Sequence, residues 1–434
     1  MTDSLTASPI TKADRNVALD VTRGFAVLGI LAANIWDFAF PISMPFIALI
    51  LDNAAGDWNG VLVWFGAVDG VMRTLFSLMF GAGMVLMLKN LEARDMGVEA
   101  ANIFFRRIMW LFVFGLVNAF LFMWPGDILF MYALSGFIIF ALRNASTRGL
   151  LLVVALLTVF RMGVAYNDNI AAVEGFNTTQ AAIQKSESGA ELTPDEKQLV
   201  QRAERRNDFE GYMKFRGGKE IEAVQSGFVG SFTERAKWSV IIESRMVYSQ
   251  FYTDVLVMVL LGIVFYRWGL LTGSLSWARL SQITLAGLII GGGIRYGMIS
   301  DMLDGHMRLA FSYWQVFYDI GRLGMAVLYL GIVQMFVKAG ILGFLKSAFA
   351  AAGQMALTNY LSQSIICAFI FYGFGFGLFG ELRGWEPYYV VFGIWALQLL
   401  WSPIWLKFYR FGPFEWVWRS LTYGSKQPMK RGDA

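Results

Sequence analysis

The feature that most constrains this chain is a recurrence of long apolar runs. A helix needs roughly 17–25 mostly apolar residues to cross a hydrocarbon core of about 30 Å. Ten runs bounded by charge, Gly or Pro meet or approach that length. They cover roughly Val17 to Phe40, Val61 to Leu88, Ile108 to Trp124, Ile128 to Leu142, Gly149 to Tyr166, Phe251 to Phe265, Ser281 to Ile299, Trp314 to Val337, Ala348 to Ile370 and Tyr388 to Trp405, the fourth and sixth being short. Lipid offers no water to peptide groups, so each run is expected as a helix. The fold class is therefore an all-α polytopic membrane protein, with about ten transmembrane helices and a polar, partly helical extracytoplasmic insertion. The first run is too long for a signal-peptide core and lacks a small-residue cleavage site after it, so it reads as a retained span.

Short cytoplasmic loops retain Lys and Arg. With the N-terminus inside, one set of loops and tails holds eighteen basic residues and the opposite short loops hold only Arg308 and Arg383. Both termini are thus expected in the cytoplasm. Three parts follow: an N-terminal half over 1–166, an extracytoplasmic insertion over 167–250, and a C-terminal half with a cytoplasmic tail over 251–434. The insertion carries 13 acidic and 11 basic residues between Asp168 and Arg245. Its Thr193-Pro194-Asp195-Glu196 has the form of a helix start, with a capping hydroxyl, Pro in the first turn and early carboxylates. A helical cap over the membrane and a solvated spacer both fit this segment.

Composition narrows the chemistry. Charged residues make up 16% of the chain and the net charge is +4, so no nucleic-acid partner is expected; membrane lipids are. One Cys (Cys367) and one His (His306) leave no Cys/His metal set, and no metal is expected. Charges within spans are costly and become functional candidates once neutralising neighbours are considered. Asp20 and Arg23, Asp69 and Arg73, and Asp319 and Arg322 share helical faces, whereas Asp254, Arg161 and Arg295 call for partners on other helices. Asp127, in Pro125-Gly126-Asp127, reads equally as a helix N-cap or as a carboxylate orienting a substrate hydroxyl. His306 is a candidate base beside Asp301 and Asp304. Gly81-Ala82-Gly83 and Gly291-Gly292-Gly293 read as close-packing signals.

Several motifs carry a family resemblance. Leu19-Asp20-x-x-Arg23-Gly24-Phe25 with Asn34-Ile35, Arg73-x-Leu75-Phe76-Ser77-Leu78-Met79-Phe80-Gly81, and Gly126-Asp127-Ile128-Leu129 followed by Tyr132-Ala133-Leu134 resemble the N-terminal half of the YeiB family of bacterial inner-membrane proteins. Gly353-x-Met355-Ala356-Leu357-Thr358-Asn359-Tyr360, then Gly412-Pro413-x-Glu415-Trp416, resemble the module known as domain of unknown function 418. The family is similar to transmembrane acyltransferases such as the heparan-α-glucosaminide acetyltransferases, which share an Asp-x-x-Arg-Gly start. The resemblance implies acyl-CoA as co-substrate, a sugar, lipid or small-molecule acceptor beyond the membrane, and a bacterial inner-membrane location. Two expected histidines are replaced: Asp57 precedes Trp58-Asn59-Gly60, and Asn118 stands upstream of Gly126-Asp127. Asn118 takes no proton but hydrogen-bonds an acyl carbonyl or a hydroxyl.

On the acyltransferase reading, Asp127, Asp57 and His306 are the candidate proton acceptors and Asn118 a candidate catalytic hydrogen-bonding group. Asp20, Arg23, Asn34, Arg73, Tyr132 and Asn359 are candidate substrate contacts. Arg106 and Arg107 are candidate partners of CoA phosphates, or simply orient the membrane insertion. On the competing reading, a transporter or lipid-handling protein, Asp69, Arg73, Asp254, Arg295, Asp319 and Arg322 line a path for a polar solute or headgroup.

Overall fold

A computed structural model describes residues 16–43, 64–94, 96–207, 217–304, 312–383 and 385–431. Within them the chain is helical, and its pairing of extended backbone is confined to an isolated bridge between Tyr409 and Lys430. Helix α1 covers Val17–Ala39, α2 Val71–Glu92 and α3 Val98–Leu116, which continues through a π-helical turn, Val117–Leu121. Then come α4 (Leu129–Leu142), α5 (Thr147–Glu187), α6 (Pro194–Asn207), α7 (Gly218–Gln225) and α8 (Phe228–Ile241). A π-helical stretch, Ile242–Phe251, joins α8 to α9 (Tyr252–Arg267). After α10 (Trp277–Gly287) and α11 (Gly293–Asp304) follow α12 (Tyr318–Ala339), α13 (Gly343–Gln354), α14 (Ala356–Phe371), α15 (Glu386–Phe408) and α16 (Pro413–Tyr423).

Seven helical runs are long and apolar enough to cross a membrane, the bent pair Phe228–Tyr248 and Tyr252–Arg267 makes an eighth, and Leu129–Leu142 and Ala356–Phe371 are shorter apolar helices. Together they occupy the ten expected positions of a multi-pass membrane protein. Their ends alternate between a proximal face, where α1 begins, and a distal face, where it ends. Arg267 Nη1 donates to the Ala145 carbonyl on the proximal face, and the Gly380 N–H to the Ala39 carbonyl on the distal one. Helices α1, α9 and α14 lie inside; α5, α10 and α15 expose residues such as Leu152, Leu156, Leu285, Leu397 and Leu400 to the lipid.

The structure differs from the sequence reading at three spans. The fifth does not stop near Tyr166: α5 runs unbroken to Glu187, about 30 Å further at about 1.5 Å per residue. A helix satisfies its own peptide groups in lipid and in water alike, so a change of solvent does not end it. The sixth begins earlier, because α8 meets α9 at a 64° bend; polar side chains on α8 hide its membrane character in the sequence. The ninth is two helices, α13 and α14, broken at Met355.

The start of α6 agrees with the sequence. Thr193 and Glu196 exchange hydrogen bonds, the Thr193 N–H donating to Oε2 at 2.7 Å and the Glu196 N–H to Oγ1 at 3.3 Å. The Lys185 ammonium, and then the Thr193 N–H, hold the Glu196 carboxyl below the usual carboxylate range. Residues 217–250 pack onto the distal face. Arg235, fully buried, donates to the Asp37 carbonyl at 2.6 Å and pairs with Glu220, which also accepts the N–H groups of Ile42 and Ser43.

The glycines at the α2–α9 crossing are positions where a side chain has no room. A Cβ on Gly81 would collide with the Val259 carbonyl and one on Gly262 with that of Leu78, so the two backbones touch as small residues allow in membranes. Gly81→Val is expected to cost about 3 kcal/mol by overpacking, read as a lower thermal midpoint of the detergent-purified protein. Gly293→Ala, with no neighbouring atom within 4 Å of the added carbon, is expected to change stability by less than about 0.5 kcal/mol.

Candidate functional site

A cavity of about 290 Å³ enters the bundle from the proximal face. Helix α2 lines it from Asn90 to Phe76, about 21 Å of helix at about 1.5 Å per residue. The mouth is basic: Arg23, Arg94, Arg107 and Arg419 face it, against Asp20 and Glu415. The throat is Met79, Met84, Phe76 and Phe80, and its deep end is Tyr132 and Tyr360.

Each wall is fixed by a local device. Gly24 of α1 and Gly353 of α13 bring two backbones into contact, since a Cβ on Gly24 would strike the Phe349 carbonyl and one on Gly353 that of Asp20. This sets the Asp20 turn against the break at Met355. Arg23 Nη1 lies 3.3 Å from Asp20 Oδ1. The Arg107 guanidinium stacks 3.8 Å over Trp418, whose Nε1 donates to the Arg107 carbonyl at 2.9 Å. Arg23, Arg94, Arg107 and Arg419 thus concentrate positive charge at the mouth. Glu415 caps α14 from another helix: its Oε1 accepts the N–H groups of Leu357 (2.6 Å) and Thr358 (3.0 Å), and Thr358 Oγ1 donates to Oε2 at 2.5 Å. The Gly412-Pro413-x-Glu415 and Met355–Tyr360 motifs thus clasp each other.

At the deep end Tyr132 stacks on Phe80 at 4.7 Å, its hydroxyl 3.1 Å from that of Ser77. Tyr360 Oη donates to Asp127 Oδ2 (3.3 Å) and accepts the Ile128 N–H. Asp127, 1% exposed, also accepts from Asn118 Nδ2 at 2.8 Å and from the Phe130 N–H at 3.0 Å. It precedes the N-cap Ile128 of α4 by one residue and accepts an N–H of that helix's first turn, within a turn that lies inside the bundle.

Of the residues singled out in the sequence, the cavity gathers Asp20, Arg23, Arg107 and Tyr132, with Asp127 and Asn118 directly behind Tyr360. Arg106 instead pairs with Glu99 at 2.7 Å beside a separate groove. Asn34 does not line the cavity. Asn359 is enclosed, donating to the Ala352 carbonyl and Ser402 and accepting from Trp401 Nε1 at 2.7 Å. Asp57 and His306 lie outside the described residues. Among the described residues no group of three or more His, Cys, Asp or Glu side chains is placed to hold a metal. Sequence reasoning missed Arg94, Arg419 and Tyr360 as lining residues, Glu415 as a cap, and Glu243, a buried acid hidden in the charged segment.

Arg73 belongs to an ion network across four helices. Asp254 of α9 pairs with Arg73 of α2 at 2.9 Å and with Arg322 of α12; Arg322 also meets Asp319 at 3.1 Å, and Arg161 of α5 grips Asp319 with two nitrogens. Arg295 binds both the Asp69 carboxylate (3.1 Å) and the Asp69 carbonyl (2.7 Å). The expected Asp319–Arg322 pair is present, and Asp254, Arg161 and Arg295 have their partners on other helices. None of these residues lines the cavity.

Fold and cavity define a polytopic helical membrane protein with a basic entrance leading to a buried tyrosine–carboxylate end. Comparison with known proteins identifies the group: the chain belongs to the YeiB/DUF418 family. The family described as Protein of unknown function (DUF418) matches residues 260–425. The uncharacterized protein YxaH of Bacillus subtilis (strain 168) is 30% identical over 435 residues, covering 98% of each chain. The uncharacterized protein YeiB of Escherichia coli (strain K12) is 29% identical over 96% of this chain and 98% of its own. An uncharacterized 39.9 kDa protein encoded in the amylase 3' region of Bacillus acidopullulyticus is 25% identical over 97% of each. No solved structure matches.

The ion network is expected to act as scaffold. Asp254→Asn strips Arg73 and Arg322 of a shared partner at a buried site and should cost about 3–5 kcal/mol, seen as a fall in the thermal midpoint in detergent.

Proposed function

We propose that the protein is an acyltransferase-like protein of the bacterial cytoplasmic membrane, taking an acyl group from cytosolic acyl-CoA at its proximal mouth for an acceptor on the distal side. The observation that carries this reading is the cavity: a cluster of guanidinium groups at one end, an apolar throat, and hydroxyls backed by a carboxylate at the other. Guanidinium forks suit the phosphates of CoA, and a methionine- and phenylalanine-lined throat suits a long thioester arm. The excess of Lys and Arg in the loops of the proximal face supports its cytoplasmic orientation.

Each group then has a task. Arg23 and Arg107 bind phosphate, with Asp20 orienting the first and Trp418 the second. Tyr132 supplies an O–H group toward a thioester carbonyl reaching the deep end, where a donor stabilises the oxygen charge that develops during transfer; Tyr360, whose one O–H goes to Asp127, shapes that end. Asp127 is a positioning residue: it accepts hydrogen bonds from Tyr360 and Asn118 and holds both in place. The residues that a transport path would need are engaged in mutual ion pairs away from the cavity, which favours the acyl-transfer reading over the transporter one.

The full chain in lipid nanodiscs is expected to bind coenzyme A. Arg107→Ala should weaken that binding by about 10–100-fold, the worth of a hydrogen bond to a charged group. Arg106→Ala, whose arginine pairs with Glu99 off the cavity, should leave it within about twofold. Calorimetric titration checks both, and a wild-type protein that binds no coenzyme A overturns the reading.

A further inference from the structure

The donor cavity accounts for one side of the Tyr360–Asp127 pair; on the other side is a carboxylate without a partner. Glu243 sits where α8 gives way to the π-helical stretch, is 7% exposed, and has no hydrogen-bond partner on either oxygen among the described residues. A buried charge or polar group in that position needs a ligand, a proton or a partner to satisfy it. The direction of the side chain follows from its neighbours. Ser239, one turn earlier, donates its hydroxyl to the Ala119 carbonyl at 2.8 Å, so this face of α8 packs on the π-helical turn that carries Asn118. Asn118 uses its amide N–H on Asp127, while its Oδ1 is fully buried and likewise without a partner.

Three vacant acceptor atoms, two from Glu243 and one from Asn118, therefore accompany the Asp127 carboxylate. Both contributing segments are π-helical, a distortion that re-aims side chains and recurs at functional sites. Vacant acceptors select a molecule that brings O–H or N–H donors. An amine would arrive as an ammonium and would have to shed a proton before attacking a carbonyl, whereas a hydroxyl arrives ready to be deprotonated as it attacks.

We infer that Glu243 and Asn118 form the acceptor subsite, that the acceptor is a hydroxyl-bearing molecule such as a polyol or sugar, and that Glu243 is its general base. This rests on the acyl-transfer reading above. The hydroxyl oxygen bonds to the acyl carbon while the carbon–sulfur bond breaks. The hydroxyl proton passes to Glu243, which returns it to solvent, and the CoA thiolate leaves and takes a proton from water at the proximal mouth. Asn118 Oδ1 holds a second hydroxyl of the acceptor.

The test uses the full chain in nanodiscs with acetyl-labelled acetyl-CoA and either glucose or a delipidated cell-envelope extract as acceptor. The expected product is an ester, released by hydroxylamine. Glu243→Gln should bind coenzyme A within twofold of wild type yet form ester at least about 100-fold more slowly. Formate added to Glu243→Ala should restore part of the rate, which loss of a merely structural group would not allow. Where Glu243→Gln does not fold, Glu243→Asp carries the same comparison. An unimpaired Glu243 variant, a hydroxylamine-stable amide product, or a wild type that binds coenzyme A but forms no ester overturns this inference and leaves the donor site standing. A wild type that binds no coenzyme A overturns the donor site as well.

Discussion

The rest of this structure depends on how charge is kept inside an apolar bundle. Asp254 lies on a helix buried along almost its whole length, and its carboxylate is shared by arginines of α2 and α12. Asp319 extends the chain to Arg161 of α5. Removing any one member would leave an uncompensated charge in a low-dielectric interior, so the pairs specify which helices are neighbours as well as stabilising their contact. The same crossing of α2 and α9 is drawn tight by Gly81 and Gly262. Steric and electrostatic constraints thus converge on α2, the helix that also forms the long wall of the cavity.

A second level of organisation is the clasp between the last helix and the broken span. The break at Met355 frees the first N–H groups of α14, which lipid cannot satisfy. Glu415 supplies the missing acceptor from α16. The same placement brings Trp418 and Arg419 to the mouth of the cavity. A helix defect is in this way converted into a fixed entrance, and two motifs that lie more than fifty residues apart prove to be halves of one contact.

Much of the architecture was legible in advance. The spans could be read because their length and apolarity are local properties, and the Thr193–Glu196 cap because its residues are three apart. Misreadings arose where local apolarity and tertiary role part company. Helix α8 looks soluble because Arg235 and Ser239 are polar, yet both find partners on the bundle. Asp127 could be read two ways; its side chain accepts the Phe130 N–H from one residue before the N-cap Ile128. Asp69 and Arg73 read as one helical face, but Asp69 lies in the turn before α2, and the strong partners of both, Arg295 and Asp254, come from other helices. Arg106 and Arg107 are adjacent in sequence, and a helix turns successive residues by about 100°, so one meets Glu99 outside and the other enters the cavity.

The sequence by itself determined that this chain is a helical membrane protein of about ten apolar segments, because closing peptide hydrogen bonds within a helix of sufficient length is decided residue by residue. It also determined which acids and arginines would need partners, since their cost in lipid does not depend on the fold. Only the tertiary structure decided who those partners are, that four arginines share one cavity mouth, and that Glu243 is buried with no hydrogen-bond partner among the described residues. Such choices depend on how helices far apart in sequence cross, and side chains a hundred or more residues apart meet only when packing has fixed those crossings.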